Sequence, residues 1–310
     1  MSKTDIFCKA LGCFGMLVGK AAVLRLGSSS KLRILAYHRV LDSMPDDFPY
    51  DRDVISCNSG EFRREMEFVA RNFDVVTFKN IAENGVESYR RPLVITFDDG
   101  YKDNYDVVLP ILKEMGIPAV FFVTTDYING NEIPWWDEIY LYGGKEIYSL
   151  HKIKSASDKE RLQMLEELRN TTSGYYQQND RLMMNWDEVR KLADAGMEIG
   201  SHTVSHPILR NIRDIKKVKF EIVESKKIIE KNIGRNVISF SYPVGRMSSA
   251  DNDIVEVVKN AGYEYAVIYE HGVNDKNGFD AFRMFRIKTE VGDDFNRFKA
   301  KVLFPGMVKY

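Results

Sequence analysis

Cysteine is scarce in this chain: only Cys8, Cys13 and Cys57 occur among its 310 residues. Three thiols at these scattered positions supply neither a disulfide framework nor a cysteine metal site. The scarcity fits a reducing compartment, and we therefore expect a cytoplasmic protein.

An excess of charge of one sign is also lacking. The 44 Lys and Arg residues nearly balance the 45 Asp and Glu residues, for a net charge of -1. Such a chain has no overall field to attract nucleic acid, so a nucleic-acid partner is not expected. Hydrophobic residues at 44% and charged residues at 29% are typical of a folded protein with a sizeable core.

No hydrophobic run near the N-terminus is long enough to span a membrane. The uncharged stretch Ala10–Gly19 has ten residues, whereas a spanning helix needs about 20. Read as a helix, residues 1–30 place six apolar side chains on one face, and we expect this segment to contact the inner face of a membrane. A first helix packed on the domain fits the same pattern. A signal peptide, which would mean export, fits the length of the stretch, but Asp5 disturbs the basic region with which such peptides begin.

From Lys31 onward, short apolar runs alternate with helical patterns, which predicts an α/β fold with a parallel sheet, open or closed into a barrel. Chemistry in such folds lies at the C-terminal ends of the strands. The predicted strands are Arg33–Tyr37, Val75–Phe78, Leu93–Phe97, Ala119–Val123, Met197–Ser201, Val237–Ser241 and Tyr265–Ile268. The predicted helices are Glu61–Asn72, Asp103–Met115, Trp186–Ala195, Asp214–Asn232 and Asp251–Ala261.

One stretch, residues 127–184, breaks this alternation. It is rich in tryptophan and tyrosine and contains one predicted helix, which a Ser157…Glu160 capping box opens. We interpret it as an insertion after the Ala119–Val123 strand, within a domain that covers residues 31–310.

Two pairs of polar side chains follow predicted strands. Asp98 and Asp99 come after the apolar run Pro92–Ile95, and His202 and His206 come about a hundred residues later. One carboxylate and two histidines are a common ligand set for a hydrolytic zinc ion, which keeps a position open for water. The other carboxylate is then free to act as a base. The sequence therefore predicts a metal-dependent hydrolase.

Each pair alone has a plainer interpretation, as a solvated turn or as structural histidines. The four-residue spacing of His202 and His206 puts both rings on one face if the segment is helical. Pro207 instead biases His206 away from helical geometry, which favours a loop wrapped around an ion.

The two motifs carry a family resemblance. Thr96-Phe97-Asp98-Asp99-Gly100 and Ser201-His202-Thr203-Val204-Ser205-His206-Pro207 match the T-F-D-D-G and H-[ST]-x-x-H-P motifs of polysaccharide deacetylases, carbohydrate esterase family 4. The chain resembles this family over roughly residues 31–291. The resemblance implies a distorted (β/α) barrel and hydrolysis of an N-acetyl group on a sugar.

By position, the resemblance also assigns roles to the motif residues. Asp98 matches the catalytic base of the family. The matches to the family's metal ligands are Asp99, His202 and His206. The implied cofactor is a divalent metal ion, with zinc the expected ion.

A third family motif, R-x-P-[YF]-G, is altered in this chain. It reads Ser241-Tyr242-Pro243-Val244-Gly245, so the turn is kept and the Val244 N–H takes the position of the oxyanion donor. Ser241 replaces the arginine that orients the base in the family. Arg246 and Arg286 are the two candidates to replace it.

The general acid of the family is usually a histidine in a late L-x-H motif, and this chain has Arg286-Ile287-Lys288 in the comparable region. Near the start, Tyr37-His38-Arg39-Val40 resembles the Y-H-x-[VI] segment of deacetylases of exported poly-N-acetylglucosamine, whose domain is circularly permuted. This resemblance makes His38 the candidate acid. A packed core histidine is the plainer interpretation.

Flat aromatic faces suit the apolar faces of sugar rings. The candidate substrate-binding residues are therefore Trp135, Trp136 and Trp186, although we expect at least one of them to serve only packing.

Together, these patterns predict a metal-dependent hydrolase that removes N-acetyl groups from amino sugars of a polysaccharide or a glycan precursor. Its partner is then an N-acetylated glycan. A deacylase or deformylase of a lipid-linked sugar is the nearest alternative and fits the N-terminal helix. A glycan-binding protein that kept the fold but lost catalysis is the alternative of another class. The intact Asp98 argues against it, because a binding protein has no need of a base.

Overall fold

The structure is a computed structural model that describes residues 30–44, 48–130, 132–143, 147–148, 150–171 and 181–305. The predicted membrane-contacting segment therefore lies outside the described residues, apart from Ser30. Across these ranges, no helix has the length and hydrophobicity that crossing a bilayer requires.

Eleven strands and ten α-helices occur in the described ranges. The strands are β1 (Lys31–Tyr37), β2 (Arg39–Leu41), β3 (Ile55–Asn58), β4 (Asp74–Val75), β5 (Pro92–Phe97), β6 (Val120–Val123), β7 (Glu198–Ser201), β8 (Ser239–Ser241), β9 (Tyr265–His271), β10 (Asn274–Asp275) and β11 (Met284–Lys288). The helices are α1 (Ser59–Asn72), α2 (Phe78–Asn84), α3 (Leu109–Met115), α4 (Trp135–Leu141), α5 (Leu150–Ser155), α6 (Asp158–Thr171), α7 (Trp186–Asp194), α8 (Ile215–Ile233), α9 (Asn252–Asn260) and α10 (Phe295–Leu303).

Seven parallel strands close into a barrel, which confirms the expected (β/α) barrel. The order around the ring is β1, β5, β6, β7, β8, β9 and β11. Strand β1 completes the ring because it pairs in parallel with β5 on one side and with β11 on the other. Strand β4 extends the sheet beside β5, β10 runs antiparallel to β1, and β2 and β3 form a separate parallel pair.

Side chains alternate between the barrel interior and the surrounding helices, as the two-residue period of a strand requires. One buried cluster fills the interior, where β1, β5, β6, β9 and β11 contribute Leu32, Ile34, Val94, Val120, Phe122, Val267 and Met284. The alternate positions, such as Tyr37, Phe97 and Phe121, join the large cluster beneath the helices. Helix α2 covers the N-terminal end of the barrel with Phe78 and Ile81. The C-terminal end is left for polar side chains.

The described part of residues 127–184, the predicted insertion, contributes most of a separate buried cluster. It contains α4, α5 and α6, and Ser157 and Glu160 exchange the hydrogen bonds of the predicted capping box at the start of α6. Trp135 and Trp136 are buried in this cluster, which also includes Tyr101 from the turn after β5. The insertion is thereby attached to the catalytic end of the barrel.

Several element predictions differ from the structure. The predicted strand Val75–Phe78 is wrong beyond Val75, because Thr77 caps the N-terminus of α2, which begins at Phe78. Strand β11 was not predicted, since the charges of Arg286 and Lys288 mask its apolar alternation. The predicted helix Asp103–Met115 begins with a wider π-helical turn, Asn104–Val108.

Glu65 on α1 is a buried carboxyl group whose ionisation opposes folding. Its Oε2 accepts a 2.7 Å hydrogen bond from Tyr37 Oη. Burial outweighs this bond and raises the pKa of Glu65 from 4.5 to about 8. The folded state therefore keeps a proton that the unfolded state releases above its ordinary pKa. The protonated Glu65 carboxyl therefore makes its full contribution to the stability of the folded state below about pH 4.5. This contribution is lost as the pH rises towards about 8.

We predict that Glu65→Gln removes this loss, since the amide oxygen still accepts from Tyr37. Relative to wild type, the free energy of unfolding of the variant should rise by up to about 1.4 kcal/mol per pH unit between about pH 5 and pH 8. Urea denaturation at several pH values measures it. A stability difference that does not change with pH would contradict the prediction.

Candidate active site

Asp98 and Asp99 follow β5, and the backbone turns sharply at Asp99 and Gly100. Asp99 has a φ of 75° and Gly100 a φ of 93°, both in the left-handed region that non-glycine residues seldom adopt. Consequently the two carboxylates point to different partners. Asp98 faces Arg286 across the barrel, and Asp99 faces the two histidines.

The histidines lie on a loop after β7, so the helical alternative for this segment is wrong. Thr203 and His206 have φ values of 71° and 55°, which no helix contains. Glu221 on α8 holds the loop, because its carboxylate accepts hydrogen bonds from the backbone N–H of Val204 and Ser205 at 3.0 and 2.9 Å. The structure therefore has a loop here, as the effect of Pro207 on His206 predicted.

Three potential metal ligands converge at this point. His202 Nε2 and His206 Nε2 are 3.1 Å apart, and they lie 3.4 and 3.5 Å from Asp99 Oδ1. All three residues are buried and form a group that could hold an ion. Ligands at 2.0–2.1 Å from a tetrahedral ion are separated by roughly 3.3 Å. The spacing of the three atoms thus fits a divalent ion.

The hydrogen bonding of the rings fits the same role. His202 Nδ1 lies 2.7 Å from the Ser241 carbonyl oxygen. Since a carbonyl only accepts, Nδ1 carries the proton and Nε2 presents its lone pair to the site. Burial and the neighbouring His202 lower the pKa of His206 well below its usual value, which favours the neutral form of this ring. Neutral imidazoles are the form that binds metal.

Asp98 is held by Arg286, from β11. The pair is bidentate, with Nη1 2.8 Å from Oδ1 and Nη2 2.7 Å from Oδ2, and both residues are almost fully buried. Burial alone would raise the pKa of Asp98, but the charge of Arg286 and its hydrogen bonds lower it well below its usual range. Of the two candidates to replace the family arginine, Arg286 is thus the one that contacts Asp98, whereas Arg246 is exposed.

The third motif forms the turn after β8. Val244 has a φ of 55°, a strained value for a β-branched residue. Within the described residues, no protein acceptor binds its N–H. Gly245 is required because a Cβ there would lie 2.6 Å from both Tyr242 O and Tyr269 N. Tyr242 and Pro243 are buried in this turn, and Val244 is partly exposed, so its role as a donor stays a prediction.

His38 follows β1 and lies at the same end of the barrel as Asp98, Asp99, His202 and His206. We call the space between these side chains the catalytic cup. Its Nε2 lies 4.0 Å from Asp98 Oδ2, and 14% of its side chain is exposed. Burial lowers the pKa of His38, while the charges of Asp99 and Asp98 act in the opposite direction. The ring is thus beside the base and not packed in the apolar core, and its role as an acid stays a prediction.

The three tryptophans are buried, at 4%, 7% and 9% exposure for Trp135, Trp136 and Trp186. Trp135 Nε1 donates a 3.0 Å hydrogen bond to the His206 carbonyl, and the Trp136 ring centre lies 4.2 Å from that of His206. Trp186 begins α7 in the large core. Their contacts are those of packing, with two of them supporting a metal ligand. The sugar-stacking role stays a prediction.

Comparisons with known proteins agree with this geometry. A family model described as polysaccharide deacetylase matches residues 85–266. Among curated proteins, YxkH of Bacillus subtilis, named as a polysaccharide deacetylase, is 22% identical over 287 residues, which cover 91% of this chain and 80% of YxkH.

Two solved structures share the fold. The deacetylase PplD of Streptococcus pyogenes, in complex with acetate, aligns over 89% of this chain and 99% of its own, with 18% identity and a TM-score of 0.62. A de-N-acetylase of Aggregatibacter actinomycetemcomitans aligns over 87% and 98%, with 19% identity and a TM-score of 0.59.

The Arg286–Asp98 pair leads to a stability prediction. Arg286→Met leaves a buried carboxylate without its partner and should lower the free energy of unfolding by about 3–5 kcal/mol. Arg286→Met combined with Asp98→Asn removes both charges and should recover most of that loss. Urea denaturation of the two variants and wild type measures it. Equal stability of Arg286→Met and wild type would show that the pair is not needed to hold the fold.

Proposed function

This chain belongs to the polysaccharide deacetylase family, hydrolases of amide bonds, and we propose that it removes N-acetyl groups from amino sugars of a glycan with the help of a divalent metal ion. The observation that supports this most directly is that the potential metal ligands lie next to the Arg286–Asp98 ion pair. A ligand set of one carboxylate and two imidazoles lies next to a second carboxylate that is held ionised by Arg286. A hydrolytic site needs both.

The residues that would hold the ion are Asp99, His202 and His206, and we propose zinc because it favours such mixed nitrogen and oxygen ligands. When bound, the ion supplies a Lewis acid and makes water a stronger nucleophile at neutral pH. The other groups of the site are positioned for proton transfer and charge stabilisation.

Asp98 is the proposed base. Its position is set by Arg286, Ser241 and the strand end, and its low pKa keeps it ionised and able to accept a proton at Oδ2. The Val244 N–H is the proposed donor to the oxygen that gains negative charge when the amide is attacked. His38 is the proposed acid, which donates a proton from Nε2 to the departing amine.

The position of β1 supports a proposal about the type of deacetylase. Strand β1, which ends just before His38, precedes β5 in the sequence. In the barrel, β1 lies between β5 and β11. We propose the circularly permuted arrangement on this basis. The substrate proposed for this chain is an N-acetylated glycan, in line with the named activity of the de-N-acetylase whose fold it shares.

The complete catalytic set favours an enzyme over a glycan-binding protein. Although the third motif has lost its arginine, Arg286 restores the partner of the base from another strand. Nothing in the described residues favours a lipid-linked sugar. Membrane contact through residues 1–30 and a cytoplasmic location stay predictions.

Acetate release from N-acetylglucosamine oligomers tests the proposal. Wild type should release acetate, lose this activity after chelation and regain it with added zinc. Asp98→Asn should keep bound metal and lose activity, whereas Asp99→Ala should lose both. Metal content is measured on the purified proteins. Full activity of Asp98→Asn would exclude the assigned base, and metal-independent release by wild type would exclude the assigned cofactor.

We predict that His38→Ala lowers kcat by about 10²–10⁴-fold, the usual contribution of a positioned acid or base. The matched control is His271→Ala, since His271 Nε2 contacts the Pro305 carbonyl at 2.9 Å. Steady-state acetate release measures both. Wild-type activity of His38→Ala beside an inactive His271→Ala would reverse the assignment.

A further inference from the structure

Strand alternation brings two further side chains to the catalytic end of the barrel. On β9, Val267 lies in the barrel interior, so Tyr269 faces the same side two residues later. On β11, Met284 is interior and Arg286 reaches Asp98, so Lys288 continues that face. Tyr269 and Lys288 therefore belong to the same cup as His38 and Asp98.

The ring of Tyr269 is held from several sides. Its centroid lies 5.1 Å from that of His38, with the rings at 82° to each other. Lys288 Nζ lies 4.4 Å from the ring centre and Arg286 Cζ 5.4 Å from it. Two cations and the candidate acid thus fix the direction of the phenol.

The Tyr269 hydroxyl differs in its hydrogen bonding from those of four buried tyrosines, Tyr37, Tyr101, Tyr242 and Tyr263. Their hydroxyls donate to Glu65, Asp137, Phe282 and Ile222, respectively. In the part of the chain covered by the structure, the Tyr269 hydroxyl has no hydrogen-bond partner, and its residue is partly exposed. A phenol fixed in place with a free hydroxyl is available to a ligand.

The surroundings of Tyr269 also affect its ionisation. Burial raises the pKa of Tyr269, although the charge of Arg286 acts in the opposite direction. At neutral pH the phenol therefore stays protonated and able to donate.

We propose that Tyr269 is a substrate-binding residue whose hydroxyl forms a hydrogen bond with a polar group of the sugar that carries the reacting acetamide. Lys288 and Arg286 act as positioning residues that hold its ring. The inference rests on the proposed function, since it assumes that a hydroxyl-rich sugar occupies the cup. It adds a contact that neither the metal ligands nor the acid and base provide.

Binding of penta-N-acetylchitopentaose by calorimetry tests the proposal, in an Asp98→Asn background where turnover is absent. Adding Tyr269→Phe keeps the ring but removes the hydroxyl, and should raise Kd about 5–15-fold, the effect of one lost hydrogen bond. The matched control is Tyr265→Phe, which makes the same change on β9 at the other end of the barrel, where Tyr265 stacks on Phe78. The control should leave Kd unchanged.

Each result is decisive. An unchanged Kd for Tyr269→Phe, or an equal rise for Tyr265→Phe, would overturn the inference and leave the proposed function standing. Absence of binding by the Asp98→Asn parent would overturn the proposed substrate, and the inference with it. Metal content and the thermal midpoint, measured on all three proteins, identify a variant that has lost its fold. For such a variant, Tyr269→Met, which lacks the hydroxyl and adds no N–H or O–H donor, replaces Tyr269→Phe in the same measurement.

Discussion

The ion pair between Arg286 and Asp98 is the constraint around which the catalytic end of the barrel is arranged. A buried guanidinium is costly unless all its donors are satisfied. Beyond the carboxylate, Arg286 donates to the Ile268 carbonyl, to Thr96 Oγ1 and to Ser241 Oγ. These acceptors come from the ends of three other strands. The arginine that orients the base therefore also fixes the relative position of the strands that carry the site.

Backbone strain is concentrated beside this pair. Of the five described non-glycine residues with positive φ, four lie in the site: Asp99, Thr203, His206 and Val244. Such conformations cost of order 1–3 kcal/mol each and persist only where the surroundings enforce them. Here the enforcement comes from the buried carboxylate of Glu221 and from the close contact at Gly245. The strain separates adjacent carboxylates and exposes one backbone donor, which relaxed turns would not do.

The grouping of Asp98, Asp99, His202 and His206 at one end of the barrel could be predicted from the sequence, because each pair follows an apolar strand at a turn. The alternation of strands and helices predicted a parallel sheet, open or closed, and the family resemblance implied the barrel. Arg286 could be named only as one of two candidates, because its strand is short and charged, and partnership across a barrel is a tertiary property. Tyr269 could not be predicted from the sequence, since tyrosine is common in strands. Only the closed barrel shows which face of β9 is interior. The packing of Trp135 and Trp136 against His206 could not be predicted either, because it is a tertiary contact between segments far apart in the sequence.

The closure of the barrel by β1 has a consequence for the order in which the site is completed during synthesis. The proposed ion ligands lie between residues 99 and 206, so they are all present once two thirds of the chain has been made. The partner of the base arrives only with β11, which is also the strand that closes the ring beside β1. A nascent chain that ends before residue 284 therefore has every ligand of the ion but an unpaired base in an open sheet. The ion pair that holds Asp98 therefore forms only when the last barrel strand is in place.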